Sequence, residues 1–274
     1  MTKKKMIWLI VGLGILLLAF LSFGPKHKTS KSKVITVATA PRPYSELFMN
    51  GIKPILEKEG YTVKSKNFSN LLNADIALDN NEADLSVDQH SAYLKNFNKE
   101  KKGDLTGIIK IPTIPMGLYQ GAKKSLAALQ DGDRIAVPED ASNKARAYRI
   151  LSQNGLIRLK DGVNEVTVTQ KDIADNPKNL QFTEIDSSTI PRVKDEFDYV
   201  VLPGSVAYAA KVPAKENLLK EKVMDDYYLV LTVNKVNKNK KWVQVVKHAY
   251  ESEEFKRYFE SKNEDNSWVT ADKS

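Results

Sequence analysis

The sequence predicts an α/β fold of two lobes carried behind an N-terminal transmembrane helix. Three observations lead there: an uncharged apolar run near the start, β-branched runs alternating with amphipathic stretches after it, and a length of 274 residues. That length suits one large domain or two ordinary lobes. Apolar residues are 42% and charged residues 28% of the chain, the balance of a globular protein. There is no cysteine, which excludes disulfides, thiolate metal sites and a lipidated N-terminal cysteine. The formal charge of +8 suggests a polyanionic partner until it is mapped. Residues 1–33 hold seven lysines and no acid, leaving 35 basic against 34 acidic residues in the rest. The body is close to neutral, so nucleic acid is not an expected partner.

Residues 6–23, MIWLIVGLGILLLAFLSF, carry no charge and reach about 27 Å as a helix, the thickness of a bilayer core. Lys3, Lys4 and Lys5 precede them and mark a cytoplasmic end. The expectation is an uncleaved signal anchor, single-pass in the cell membrane, with the body on the extracytoplasmic side. A cleaved signal peptide is the rival; the length of the run and the bulky Phe20, Leu21 and Phe23 at its exit oppose it. GPKHKTSKSK, residues 24–33, is polar and reads as a tether. Anchor and tether thus occupy 1–33.

VITVATA (34–40) is a strand by its β-branched run. SELFMNGIKPILEKEGY sets Leu47, Phe48, Ile52, Ile55 and Leu56 at helical spacing, with Ser45 as N-cap and Gly60 as stop. YTVKSKNF returns as a strand, completing a βαβ unit. DLTGIIKIPTI and RIAVP read as strands, and SNKARAYRILSQNGL as a helix starting near Ser142 or Asn143 and ending at Gly155. LQFTEI, FDYVVLP and YYLVLTVN are further strands. KWVQVVKHAYESEEFKRYFESK reads as one long amphipathic helix with Val243, Val246, Tyr250, Phe255 and Phe259 along its apolar side. The expected division is 34–115 plus 209–268 for the first lobe and 116–208 for the second, with any ligand at their boundary.

Few residues suggest chemistry. His90 follows Asp88 by two, but no nucleophile motif accompanies them, and PGSVA (203–207) lacks the second glycine of a nucleophile elbow. His27 and His248 stand far from it in the chain, and no histidine pair has helical zinc spacing. No catalytic residue, metal or cofactor is expected, and the chain is read as not an enzyme. VPEDASNKARA (137–147) is more informative: a strand ends, a polar loop follows and a helix begins. Free N–H groups at a helix start suit an anion, and Asn143 and Arg146, three apart, share a face there. Arginine grips a carboxylate through paired hydrogen bonds. An ordinary N-cap beside a solvated arginine accounts for the same residues.

Five segments in order carry a resemblance: DQHSAYL (88–94), IPMGLY (114–119), KSLAALQDGDRIAVPEDASNKARA (124–147), GLIRLKDGV (155–163) and DIADNPKNLQFTEI (172–185). Together they resemble the NlpA-type substrate-binding lipoproteins, the methionine-binding component of an ABC importer, over about residues 34–268. The resemblance implies a periplasmic-binding-protein-like (type II) fold whose two lobes close on an amino acid. It implies that Arg146 and Asn143 hold the ligand α-carboxylate, and that His90 and Tyr93 line the side-chain pocket, His90 as a wall and not a base. Several positions depart from the family. Asp88 stands where an aromatic is usual, Leu71 replaces a second aromatic, and Ala92 a proline. Ser205 falls where the family has an asparagine that contacts the ligand head group. An acid in the pocket needs a partner, so Asp88 either faces the cleft and favours an amine-bearing ligand or points to solvent.

The resulting expectation is a monomeric substrate-binding protein for a small amino acid or short peptide, working with an ABC permease. Its hydrophobic anchor takes the place of the lipidated cysteine. The alternative is a surface-anchored interaction protein that keeps the fold and has lost transport.

Overall fold

Two five-stranded sheets organise the chain in the computed structural model, which describes residues 33–40 and 43–271. The spanning helix predicted at 6–23 lies outside the described residues; among those described, no helix is long and apolar enough to cross a membrane. In chain order the strands are β1 (Lys33–Thr39), β2 (Tyr61–Asn67), β3 (Leu85–Ser86), β4 (Leu105–Lys110), β5 (Gly117–Gln120) and β6 (Arg134–Pro138). They continue with β7 (Arg158–Leu159), β8 (Ile173–Asp175), β9 (Gln181–Ile185), β10 (Tyr199–Leu202), β11 (Asn217–Lys220) and β12 (Val230–Asn234). The first sheet runs β2-β1-β3-β12-β4 and the second β11-β5-β10-β6-β9, while β7 and β8 form a separate pair. β11 pairs with β5, Asn217 opposite Tyr119, so the sheet boundary falls after Lys220 and not at residue 208.

Side chains alternate across both sheets, as the strand period requires. In the first, Ile35 and Val37 pack with Phe48, Ile52, Val243 and Phe255, while Ala38 faces Leu78, Leu94 and Phe97 on the other side. In the second, Ile135, Val137, Tyr199 and Val201 meet Ala145 and Tyr148 of the helix Ala141–Gln153. Ala136, Val200 and Leu202 meet Ile190 and Val206 opposite. Each large side chain buried this way contributes about 1.5–3 kcal/mol.

Three helices differ from the sequence expectation, each for a local reason. The first begins at Pro43, so Ser45 lies within it, and its hydroxyl donates to Asp88 Oδ2 at 2.6 Å. Pro54 has no N–H to offer the carbonyl four residues back, and the turn widens to a π-helix over Phe48–Ile52. The second-sheet helix starts at Ala141, ahead of the predicted Ser142 or Asn143, because Asp140 accepts from the Asn143 N–H at 3.0 Å. The long C-terminal helix is two, Lys241–Glu251 and Glu253–Lys262. Ser252 breaks it, its hydroxyl accepting from the Phe255 N–H at 3.1 Å, and Glu253 and Glu254 then occupy the favourable first turn.

The chain crosses between sheets twice, through residues 111–116 and 221–229. These segments run side by side: the Ile111 N–H donates to the Leu229 carbonyl at 2.9 Å, and the Glu221 N–H to the Met116 carbonyl at 3.0 Å. The connection is narrow, and the space it leaves between the sheets is the cleft.

Candidate functional site

A cavity of about 370 Å³ lies in that cleft, and all seven residues singled out from the sequence line it: Leu71, Asp88, His90, Tyr93, Asn143, Arg146 and Ser205. Leu71 opens the helix Leu71–Asp79 and His90 precedes the helix Ser91–Lys101, both on the first-sheet side. Asn143 and Arg146 come from the first two turns of Ala141–Gln153, and Ser205 from the helix Gly204–Ala209, which pack on opposite faces of the second sheet. The crossing segments contribute Ile114 and Leu229.

Arg146 is 3% exposed and is neither a solvated side chain nor an empty receptor. Its Nε donates to Glu221 Oε2 at 3.1 Å, its Nη2 donates to Glu221 Oε1, and its Nη1 donates to Asn143 Oδ1 at 3.0 Å. Burial works against the charged guanidinium, but the adjacent Glu221 carboxylate outweighs it and holds the pKa above its ordinary value. Glu221 Oε1 also accepts from the Met116 N–H at 2.8 Å, so one carboxylate ties both crossing segments to the arginine. The Tyr227 ring stacks 5.0 Å from the guanidinium. Burial pushes the Tyr227 phenol up to about 12, so it stays neutral.

Asn143 is oriented by its neighbours. Its Nδ2 donates to both oxygens of Asp140 at 3.1 Å, which turns Oδ1 toward Arg146 and His90. His90 caps its helix, Nδ1 accepting from the Tyr93 N–H at 3.1 Å. A nitrogen that accepts from an amide carries no proton, so the proton sits on Nε2 and is donated to Asn143 Oδ1 at 3.3 Å. The ring stands edge-on to Tyr93 and Tyr227, with centroids 6.2 and 5.4 Å away. These contacts fix His90 as part of the cavity wall.

Asp88 does not point to solvent. It is 3% exposed, and its Oδ2 accepts from the Ala40 N–H at 3.0 Å and the Ser45 hydroxyl at 2.6 Å. The acid thus anchors the end of β1 and the first helix to the cavity wall. Burial and then the Asp88 charge push the Tyr250 phenol well above its ordinary range. Gln89 beside it is 1% exposed; its Oε1 accepts from the Ser86 hydroxyl and the Asp88 N–H, both at 3.0 Å. Those donors fix the amide orientation and leave Nε2 buried without a hydrogen-bond partner in the cavity wall. Among the described residues no group of three or more histidine, cysteine or acidic side chains is placed to hold a metal ion.

Sequence reasoning missed Glu221, Tyr227 and Asp140, and used Gln89 only as part of a motif. Glu221 lies 75 residues from Arg146 in an unremarkable run of alternating charges, and nothing local marks it. Asp140 had a signal: an acid three residues before Asn143 at a helix start.

The family model described as NlpA lipoprotein matches residues 35–271. The chain is 32% identical over 201 residues to the D-methionine-binding lipoprotein MetQ of Salmonella typhi, covering 72% of this chain and 74% of that protein. A solved nutrient binding protein from Burkholderia cenocepacia bound to methionine superposes with a TM-score of 0.79 at 32% identity, covering 86% of this chain and 99% of the other. An ABC transporter periplasmic substrate-binding protein from Coxiella burnetii gives a TM-score of 0.79 at 30% identity, with 86% and 100% covered.

Proposed function

The chain belongs to the NlpA lipoprotein family, and from that premise we propose that it is the extracytoplasmic substrate-binding component of an ABC importer for methionine or a related amino acid or short peptide. The observation that carries this reading is the donor set of the cavity. Arg146 makes three hydrogen bonds to Glu221 and Asn143 and keeps unused N–H donors, while the Gln89 amide lines the same space with none of its donors satisfied. Buried donors of this kind await an acceptor, and a ligand carboxylate supplies two oxygens. Because Glu221 already balances the arginine, a zwitterion with no net charge suits the site better than a bare anion. The relatives' methionine comes to this chain on that ground and on the apolar Leu71, Ile114, Val206 and Leu229 in the wall.

In this reading Arg146 and Asn143 hold the carboxylate, His90, Tyr93 and Leu71 face the side chain, and Ser205 meets the head group. Asp88 shapes the wall through Ser45 and favours an amine at that end. Ligand contacts made from both sheets are available only when the cleft is shut, so binding shifts the population toward the closed form. A membrane permease then takes the ligand from it. No reaction is assigned to the chain.

The test is to denature the purified full-length protein and identify any released small molecule by mass spectrometry. The compound is then returned to the protein in a thermal shift. At 100 times its dissociation constant a ligand adds about 2.7 kcal/mol of stability. Methionine or another amino acid, with binding lost in Arg146→Met, is the expected result. Failure of every amino acid and short peptide to stabilise the protein would move the reading to a surface interaction protein.

A further inference from the structure

The first sheet ends in a basic edge that the cleft does not use. Two turns meet there. One closes the helix Ser91–Lys101 and carries Lys99, Lys101 and Lys102; the other follows β12 and carries Lys235, Lys238, Lys240 and Lys241. β4 and β12 hold the turns side by side: Asn234 pairs with Leu105, and the Lys235 N–H donates to the Asp104 carbonyl at 2.8 Å. All these lysines are exposed, and among the described residues only Lys235 makes an ion pair, with Asp104. Glu100 is the other acid in the two turns, so a body that is nearly neutral as a whole gathers positive charge at this edge. The second turn is rigid and presents an apolar tip. Asn234 and Asn237 are buried, Asn234 Oδ1 accepting from the Val236 N–H at 3.1 Å and Asn237 Nδ2 donating to Asn81 Oδ1 at 3.4 Å. Pinned in this way, the turn holds Val236 72% exposed between the lysines. Lys240 and Lys241 then open the helix Lys241–Glu251, whose first turn holds no acid, although cations there oppose the helix dipole.

We propose that this edge is a membrane-docking face for anionic phospholipid headgroups, with the lysines among the phosphates and Val236 dipping beneath them. Clustered lysines around a projecting apolar side chain are the chemistry by which a folded surface meets anionic lipid. Topology places the edge where the chain enters the body. β1 runs parallel to β3 and β12 antiparallel to it, so β12 ends at the end of the sheet where β1 begins. In the sequence the polar segment 24–33 joins the start of β1 to the apolar run 6–23, which is predicted to span a membrane. The other end of β1 reaches the cavity, where the Ala40 N–H meets Asp88, about 20 Å along the strand. Contact through the basic edge therefore leaves the cleft open to solute. The proposal goes beyond the substrate-binding reading and does not depend on it.

The chain has no cysteine, so Asn239→Cys, exposed within the second turn, takes a single fluorescent probe. The labelled full-length protein is placed with lipid nanodiscs of phosphatidylcholine or of phosphatidylglycerol, and quenching by neutral acrylamide is measured. Phosphatidylglycerol should lower the quenching constant at least about twofold. Salt at about 1 M, where the Debye length is about 3 Å, should restore it. Reversing three exposed charges together, Lys238→Glu, Lys240→Glu and Lys241→Glu, should abolish the protection while the thermal midpoint stays native. Val236→Ser removes the apolar tip without touching a charge, so it tests the face even if the reversal disturbs the fold, and it should weaken the protection. Equal quenching in the two kinds of disc overturns the proposal. So does protection that survives either the charge reversal or high salt, because a second copy or another face would then be covering the probe.

Discussion

His90 and Asn143 meet across the cleft, Nε2 of the one 3.3 Å from Oδ1 of the other. Each belongs to a different sheet. His90 is tied to the first through its bridge to Leu229 and its cap on Ser91–Lys101, while Asn143 rides on the helix behind the second. The same Asn143 oxygen accepts from Arg146. A single side-chain amide therefore joins the buried arginine to the opposite wall, and that contact exists only while the sheets are close.

Asn143→Ala removes the shared acceptor. Ligand affinity should fall by at least about tenfold, and stability by about 1 kcal/mol for the lost hydrogen bonds. Titration calorimetry and urea unfolding measure the two. Unchanged affinity would take Asn143 out of the site.

Glu221→Ala leaves the Arg146 guanidinium buried and unpaired, and should cost about 3–5 kcal/mol. Arg146→Met combined with Glu221→Leu should be less destabilising than Glu221→Ala alone, because an apolar pair has no charge to strand. Denaturant midpoints decide it: a mild single mutant would mean that water reaches the arginine.

Asp88→Leu strands the Ala40 N–H and the Ser45 hydroxyl, an expected loss of about 1.5–3 kcal/mol. Ser45→Ala alone should cost about 1 kcal/mol. If Asp88→Leu matches the native protein in thermal unfolding, the carboxylate is no anchor.

Gly204 sits where an added Cβ would lie 2.4 Å from the Ile114 side chain and 2.5 Å from the Pro115 carbonyl. Gly204→Ala must push the helix bearing Ser205 away from the crossing segment. A loss of about 1–3 kcal/mol is expected, together with weaker ligand binding. Wild-type affinity in that variant would show that the position of Ser205 is not critical.

Much of this was legible in the sequence, for identifiable reasons. The strand at 34–40 announces itself by its β-branched run, and 199–202 by a continuously apolar run that is buried throughout. Asn143 and Arg146 were legible because three-residue spacing on a helix is a local rule. Glu221 was not, because the pairing of a buried arginine is settled by the crossing segments, far along the chain. Nor was the break at Ser252, where one hydroxyl interrupts an otherwise unbroken amphipathic pattern. Asp88 stood out in the sequence as an acid beside a histidine, and only the fold could show its hydrogen bonds to Ser45 and Ala40.

The ion pair at the floor of the cleft bears on kinetics. An arginine that brings its own counter-ion projects little field into solution, so it cannot draw in an acidic solute from a distance. Encounter with ligand is then ordinary diffusion, and the association rate should vary little with ionic strength. Discrimination would reside in how long the molecule stays once the halves have met.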